Sequence, residues 1–276
     1  MKNLISIIIP CYNDGEFIEK SVRSALTQSY LNKEVIVVDD GSNIVTKKIL
    51  RDLEPELDLL ITQENRGQSS ARNNGIQNAS GDFILVLDSD DYFEPTFCEK
   101  AFLEMKKNEY IKLVTCHAML HFQDNSKRIY IPNGGTLIDF LYSNSAIGNA
   151  LFRKKDWEVI GGYDETMRDG WEDWEFYIRL IQLGGICEVI PEVLFHYNKR
   201  CNTTTLRANS KKYELWRYIF SKHAALYMEN YKLTIDFLLD KIKQEESEMK
   251  SIRNKIDFRV GRNMLYPFRM IKRIFK

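Results

Sequence analysis

The chain has 276 residues, 39 basic and 39 acidic side chains, and a 44% hydrophobic composition, enough apolar material for one large core or two modest ones. That balance excludes a disordered or collagen-like chain. The longest apolar runs, residues 4–10 and 83–87, are far shorter than the roughly 20 residues a membrane span needs. The N-terminus passes from Met1-Lys2 straight into a strand-like stretch with no small-residue cleavage site, so a cytoplasmic protein is expected. Five cysteines, Cys11, Cys98, Cys116, Cys187 and Cys201, are odd in number and widely spaced, and read as reduced, buried thiols.

In chain order, strand-like runs at residues 4–9, 34–38 and 83–87 alternate with helical stretches at 16–28, 45–53 and 67–78. Near-continuous apolar strands separated by helices predict an open α/β domain: a mostly parallel central sheet with helices on both faces. Strands mixed with loop follow over 111–131, then a short helix near 137–142, a strand at 149–152, a turn at Gly161-Gly162 and a helix over 171–183 ended by Gly184-Gly185. Two closing strands are expected at 186–190 and 193–197. Beyond about residue 208 the pattern is helical, which places a catalytic domain at 1–207, with halves 1–110 and 111–207, and a helical C-terminal extension at 208–276.

In open α/β sheets, ligands bind outside the carboxyl ends of the strands. Those positions are polar here: Pro10-Cys11-Tyr12-Asn13-Asp14, Asp39-Asp40-Gly41-Ser42 and Asp88-Ser89-Asp90-Asp91. Each taken alone also suits an ordinary turn or helix cap. If the backbone stays extended after the third strand, Asp88 and Asp90 face one side and can share one cation. An oxygen-only site of that kind suits Mg²⁺ or Mn²⁺, which keep waters and accept phosphate oxygens.

These motifs resemble family 2 glycosyltransferases of the GT-A fold. The matching segments are Ser6-Ile7-Ile8-Ile9-Pro10-Cys11-Tyr12-Asn13, Val37-Val38-Asp39-Asp40-Gly41-Ser42, Asn65-Arg66-Gly67 with Ala71-Arg72-Asn73-Asn74-Gly75, Leu87-Asp88-Ser89-Asp90-Asp91, and Gly161-Gly162-Tyr163-Asp164-Glu165 followed by Trp171-Glu172-Asp173-Trp174. The resemblance covers roughly residues 4 to 200. It implies that Pro10 and Tyr12 place a ring against the donor base and that Asp40 accepts a hydrogen bond from uracil. It further implies that Arg72 reaches the nucleotide or its phosphates, and that Asp88 and Ser89 line the donor site. Asp90, with Asp88 beside it, corresponds to the divalent metal motif. Asp173 corresponds to the base that deprotonates the acceptor hydroxyl in an inverting transfer, with Glu172 and Trp171 beside it on the acceptor side. A helix N-terminus is expected to keep that carboxylate ionised. The family's Tyr-Arg-x-His segment is replaced by Tyr197-Asn198-Lys199-Arg200. Either His196 substitutes from a shifted register, or Lys199 and Arg200 neutralise the diphosphate directly.

The implied function is transfer of a sugar from a nucleoside diphosphate donor, a UDP-sugar, to a hydroxyl of a glycan or lipid-linked acceptor in cell-surface polysaccharide synthesis. A catalytically silent glycan- or nucleotide-sugar-binding protein and a sugar nucleotidyltransferase are the alternatives. The second needs a Gly-rich basic loop after the first strand, and a nicotinamide oxidoreductase needs G-x-G-x-x-G there; neither is present.

Residues 250–276 hold nine basic side chains against Asp257 alone. A helix starting at Pro267 sets Phe268, Met270, Ile271, Ile274 and Phe275 on one arc and Arg269, Lys272, Arg273 and Lys276 on the other, the pattern of an interfacial helix. Peripheral attachment to the cytosolic membrane face is expected, and nucleic-acid binding is not, since the rest of the chain is acidic. Leu238, Ile242, Glu245, Met249, Ile252 and Ile256 recur at spacings of four and three, a narrow stripe that can pair two protomers or pack back on the domain.

Overall fold

The first strand, β1 (Ile5–Cys11), is apolar on both faces and buries all of its residues, so it must lie inside a sheet with cover on each side. In the computed structural model, which describes residues 3–200, 204–255, 260 and 264, it does. On one side β1 pairs in parallel with β2 (Lys33–Asp39), which pairs in parallel with β3 (Leu59–Thr62); on the other it pairs in parallel with β4 (Phe83–Val86). Three helices make the crossovers: α1 (Ile18–Leu26), α2 (Ile44–Leu53) and α3 (Gln68–Asn78). Helix α1 buries Ile18, Ser21, Val22 and Ala25, a stripe at three- and four-residue spacing. Helix α3 buries mostly small residues and lies so close to the sheet that a Cβ on Gly75 would stand 2.5 Å from Ile8 Cγ2. Each fully buried isoleucine of β1 contributes about 1.5–3 kcal/mol to the core.

The remainder is β5 (Tyr92–Phe93), α4 (Phe97–Lys107), β6 (Ile111–His121), β7 (Lys127–Tyr130), α5 (Leu137–Leu141), β8 (Leu151–Arg153), α6 (Lys154–Ile160), α7 (Glu172–Gln182) and β9 (Ile186–Asn198). The strand order is β3-β2-β1-β4-β8-β6-β9-β5, with β7 paired to the end of β6. The sheet is parallel over its first four strands and mixed beyond, because β8 runs antiparallel to β4 and β6, and β5 antiparallel to β9. The two closing strands expected at 186–197 are one strand. Its register against β6 slips from Cys116↔Ile190 to His117↔Val193, so Pro191, which has no N–H to donate, falls in the irregularity.

Cys11, Cys98, Cys116 and Cys187 are free and buried, and burial pushes the thiols of Cys11, Cys98 and Cys116 up to about 12, which leaves them inert. Cys201 lies outside the described residues.

The chain divides into two compact units, residues 1–221 and 222–276. Helices α8 (Thr204–Ser210) and α9 (Lys212–Lys222) close the first unit. The second contains α10 (Ala224–Glu229) and α11 (Tyr231–Asn254), and α11 buries no residue. Among the described residues no helix is long and apolar enough to cross a membrane. The expected amphipathic tail helix from Pro267 lies outside the described residues.

Candidate active site

Strand register brings the polar loops together. Cys11 is level with Asp39, Asp39 with Thr62, and Ile8 with Val86, so the chain leaves β1, β2, β3 and β4 along one edge of the sheet. Backbone bonds extend the alignment past the strands: Asp40 N–H donates to Cys11 O at 2.9 Å and Gln63 N–H to Asp39 O at 2.9 Å. The loop after β1 is laced to the loop after β2, with Asn13 N–H on Ser42 Oγ at 3.0 Å and Asn43 N–H on Asn13 Oδ1 at 2.7 Å. Pro10 is buried within β1, while the Tyr12 ring stands 50% exposed at the loop tip, free to offer a face. Asp40 is buried; Oδ1 accepts from Gln63 Nε2 and the Arg66 N–H, and Oδ2 from the Gly67 N–H, at 2.7–2.8 Å. It therefore fixes the entry to α3.

Helix α3 carries that connection onward. From its first turn Gln68 Nε2 donates to Asp88 Oδ1 at 2.9 Å, and one turn later Arg72 Nη2 donates to the same oxygen at 2.7 Å. Asp88 also exchanges two bonds with Asn149: its N–H donates to Asn149 Oδ1 at 2.6 Å, and Asn149 Nδ2 donates to Asp88 Oδ2 at 3.3 Å. Asp88 and Asp90 do not sit on one extended face as expected. Asp91 N–H closes a turn on Asp88 O at 3.1 Å, so the two carboxylates meet different partners. Asp90 pairs with Arg200 Nη2 at 2.5 Å; Arg200 Nη1 reaches Asp14 Oδ1 at 2.8 Å, and Ser89 Oγ donates to Asp14 Oδ2 at 2.6 Å. Burial first, then Asp88 and Asp14, push the Asp90 carboxyl up to about 6 against the opposing pull of Arg200. Asp91 is also pushed well up by burial and its neighbours, and its Oδ2 has no hydrogen-bond partner.

The Asp14, Asp88 and Asp90 carboxylates supply the oxygen ligands a hard divalent cation takes together with waters and phosphate oxygens, although Arg200 is paired with Asp14 and Asp90 in this structure. Among the described residues no group of three or more acidic, histidine or cysteine side chains is placed to hold a metal ion. One carboxylate, Asp90, fits a cation that takes its remaining ligands from water and phosphate.

Asp173 lies in the first turn of α7. The chain enters that helix through Gly170 and Trp171 in left-handed conformation, φ 111° and 63°. Asp173 Oδ1 accepts from the Trp174 N–H at 2.8 Å and Oδ2 from Asn144 Nδ2 at 2.8 Å. Its carboxyl is not held low as a helix N-terminus alone predicts. Burial, and then the Glu172 carboxylate, push it up to about 6, with Arg72 and the Trp174 N–H opposing. Glu172 is buried and accepts from Arg72 Nη1 at 2.6 Å. Arg72 is thus not displayed toward a nucleotide: it is 1% exposed, and both terminal nitrogens are held by carboxylates. Trp171 is partly exposed, edge-on to Trp174 at 5.3 Å; Trp174 itself is core, its Nε1 on Phe140 O at 2.5 Å.

His196 does not join the aspartates. Its Nδ1 meets His121 Nε2 at 2.9 Å, its Nε2 meets Glu94 Oε1 at 2.7 Å, and its ring stacks on Tyr92 at 4.3 Å. Both nitrogens are therefore taken in a separate cluster, and the structure does not bring His196 together with Asp88 and Asp90. Of the two cations weighed for the diphosphate, Arg200 reaches the aspartates, while Lys199 lies over its neighbour Tyr197 at 5.3 Å. Asp14, Gln68, Asn144 and Asn149 were not anticipated as site residues; Asp14 stands in a quoted motif, but the others have no sequence signal. A surface cavity of about 420 Å³ between Gln77, Lys154, Trp157, Glu158 and Gly161 lies at the far end of α3 and holds none of these groups.

The same segments carry the likeness to known proteins. The model of a family described as Glycosyl transferase family 2 matches residues 6–161, and that of the N-terminal domain of galactosyltransferase matches residues 136–201, which include Asp173. Glycosyltransferase GlyA of Streptococcus pneumoniae is 33% identical over 156 residues, 55% of this chain and 22% of GlyA. Putative glycosyltransferase EpsH of Bacillus subtilis is 27% identical over 249 residues, 83% of this chain and 70% of EpsH. The chain thus spans about a fifth of GlyA's length. In fold it is similar to S. aureus TarS residues 1–349, with a TM-score of 0.62 and 20% identity over 78% of this chain and 64% of that one. The family match covers more than half of the chain and takes in the loops that carry Asp40, Asp88 and Asp90, so the chain belongs to glycosyl transferase family 2 and has its expected GT-A fold.

Proposed function

We propose that the protein is an inverting, divalent-metal-assisted glycosyltransferase that moves a sugar from a UDP-sugar to a hydroxyl of a glycan or lipid-linked acceptor in cell-surface polysaccharide synthesis. The observation that carries this reading is the connection of Asp40, Asp88 and Asp173 through one helix: Gly67 at its entry binds Asp40, Gln68 binds Asp88, and Arg72 binds Asp88 and the neighbour of Asp173. Relatives named chondroitin synthase from Escherichia coli, 29% identical over 75% of this chain, and putative teichuronic acid biosynthesis glycosyltransferase TuaG from Bacillus subtilis, 29% identical over 80%, support the polymer class. TarS has been solved with UDP and with UDP-GlcNAc, which supports the donor class.

In this reading the Tyr12 ring stacks on the base, and Asp40, already oriented by three protein donors, presents a remaining lone pair to the imide N–H. Asp90, with Asp14 and Asp88 beside it, would hold Mg²⁺ or Mn²⁺, which when bound would supply neutralising charge to the departing diphosphate. Arg200, released from Asp14 and Asp90, adds a second positive charge to those oxygens, and Lys199 stands one residue away. Asp173 Oδ takes the acceptor hydroxyl proton as its oxygen attacks the anomeric carbon; Asn144 and the Trp174 N–H hold the carboxylate in place, and Trp171 borders the acceptor side. A carboxyl near pH 6 is a stronger base than an ordinary aspartate and is still ionised at neutral pH.

Two partners belong to the same proposal. The 258–276 tail docks the enzyme on the cytosolic membrane face, on the strength of its sequence pattern. The α11 stripe pairs two protomers, supported by the exposure of Leu238, Ile242, Met249 and Ile252. A thermal-shift screen of UDP-, GDP- and dTDP-sugars with and without Mn²⁺ tests the donor and metal together: UDP-sugars with Mn²⁺ should raise the melting temperature most. No shift with any nucleotide sugar refutes the reading. Release of UDP from the donor that binds separates an enzyme from a silent binding protein.

A further inference from the structure

Arg72 has no part in the transfer chemistry just described, yet it is the largest side chain buried by α3, and its surroundings are specific. Nη1 donates to Glu172 Oε1 at 2.6 Å and Nη2 to Asp88 Oδ1 at 2.7 Å, while Nε is buried without a hydrogen-bond partner. The guanidinium carbon lies 5.3 Å from the centre of the Tyr163 ring. One of the two carboxylates leaves the sheet after β4 on the donor side; the other opens α7, one residue before Asp173. A planar fork with two donors toward two separate acids fixes distance and orientation in a way that a lone ammonium cannot.

We propose that Arg72 is a positioning residue, a buried strut that sets the start of the base-bearing helix against the donor-side aspartate, and not a ligand of the nucleotide. This rests on the glycosyltransferase reading above. The groups that face the Asp173 carboxyl are Glu172 on its own helix, Asp88 on the loop after β4, Tyr163 after α6, Tyr177 one turn along α7, Tyr130 on β7, and Arg72 on α3. Arg72 is the cation of that set, so it also helps to hold the base ionised. Asn144 and the Trp174 N–H complete the shell with uncharged donors.

The test compares Arg72→Lys, Arg72→Met and Glu172→Gln with wild type in three measurements: UDP affinity by calorimetry with Mn²⁺, turnover of the best-binding nucleotide sugar as UDP release, and the acid limb of kcat against pH. The strut predicts that Arg72→Lys keeps UDP affinity within about twofold while kcat falls roughly 10- to 100-fold, because a base misplaced by about 1 Å loses rate without losing donor contacts. It predicts that Arg72→Met moves the acid limb up by about one pH unit and that Glu172→Gln moves it down, since the two removed charges act on Asp173 with opposite sign. Should Arg72→Met fail to fold, the lysine and glutamine variants carry the test. A tenfold or greater loss of UDP affinity with kcat unchanged in Arg72→Lys makes Arg72 a nucleotide ligand and overturns the strut. Unchanged kcat and an unmoved limb in both remaining variants overturn it as well. If wild type neither binds UDP nor releases it from a nucleotide sugar, the glycosyltransferase reading falls and the strut with it, an outcome visible before any variant is made.

Discussion

Replacing Asp173 with asparagine separates catalysis from folding, because the two respond in opposite directions. Ionisation at about 6 leaves the wild-type base about nine-tenths charged at pH 7 and one-tenth at pH 5. At saturating Mn²⁺, which would keep Asp90 ionised, the wild-type rate should therefore rise about tenfold between pH 5 and 7 and stay flat above. An amide cannot take the proton, so transfer should fall by about 10²–10⁴ at pH 7 and the acid limb should vanish. Stability should move the other way. The carboxyl goes from 3.8, its ordinary value, to about 6 in the fold, so the folded state binds the proton more tightly and loses stability as pH climbs from about 4 to 6. That loss is roughly 3 kcal/mol and persists at higher pH. The amide removes it at a cost: its NH₂ meets Asn144 Nδ2 unless Asn144 turns over and gives up its 3.3 Å bond from the Ala146 N–H. A net gain of about 1–2 kcal/mol, or roughly 2–6 °C in melting temperature at pH 8, should remain and should vanish at pH 4. UDP release and scanning calorimetry at both pH values measure this. A variant that keeps more than a tenth of the wild-type rate, or melts several degrees lower at pH 8, refutes Asp173 as an ionised base with a raised pKa.

Gly148→Ala places a Cβ 2.9 Å from Asp173 Oδ2 and should lower kcat about 10- to 100-fold, with UDP affinity by calorimetry unchanged. His196→Ala should leave the Mn²⁺ stimulation of UDP binding within about twofold, since His121 and Glu94 already hold both ring nitrogens, while losing about 1–2 kcal/mol of stability in a urea melt. Truncation of residues 258–276 should move the protein from the membrane pellet to the supernatant after ultracentrifugation; unchanged partitioning removes the tail from any membrane role.

The strand-end motifs and the helix bearing Asp173 could be read from sequence because each is written in consecutive residues. Buried isoleucines give β1 its place, and Asp, Gly and Ser after the apolar runs mark the loops. β3 escaped detection because it is an edge strand whose four residues are half-buried or exposed, so no apolar run announces it. The Asp88-Ser89-Asp90 spacing was legible, but the turn that sends the two carboxylates apart depends on a backbone bond to Asp91. The resemblance set Arg72 toward the nucleotide or its phosphates; its burial follows from acids 16 and 100 residues away, which no local pattern encodes. Asn144 and Asn149 were invisible for the same reason, since their partners Asp173 and Asp88 lie 29 and 61 residues off.

The level endings of β1 to β4 divide labour along the polypeptide. Everything proposed to grip the nucleotide base is complete by about residue 91, whereas the proposed proton acceptor and its supporting amide come from 144 to 174. Exchanging the later segment between relatives could thus redirect which hydroxyl is glycosylated while sparing the choice of nucleotide, provided the incoming piece supplies an acid where Glu172 meets α3.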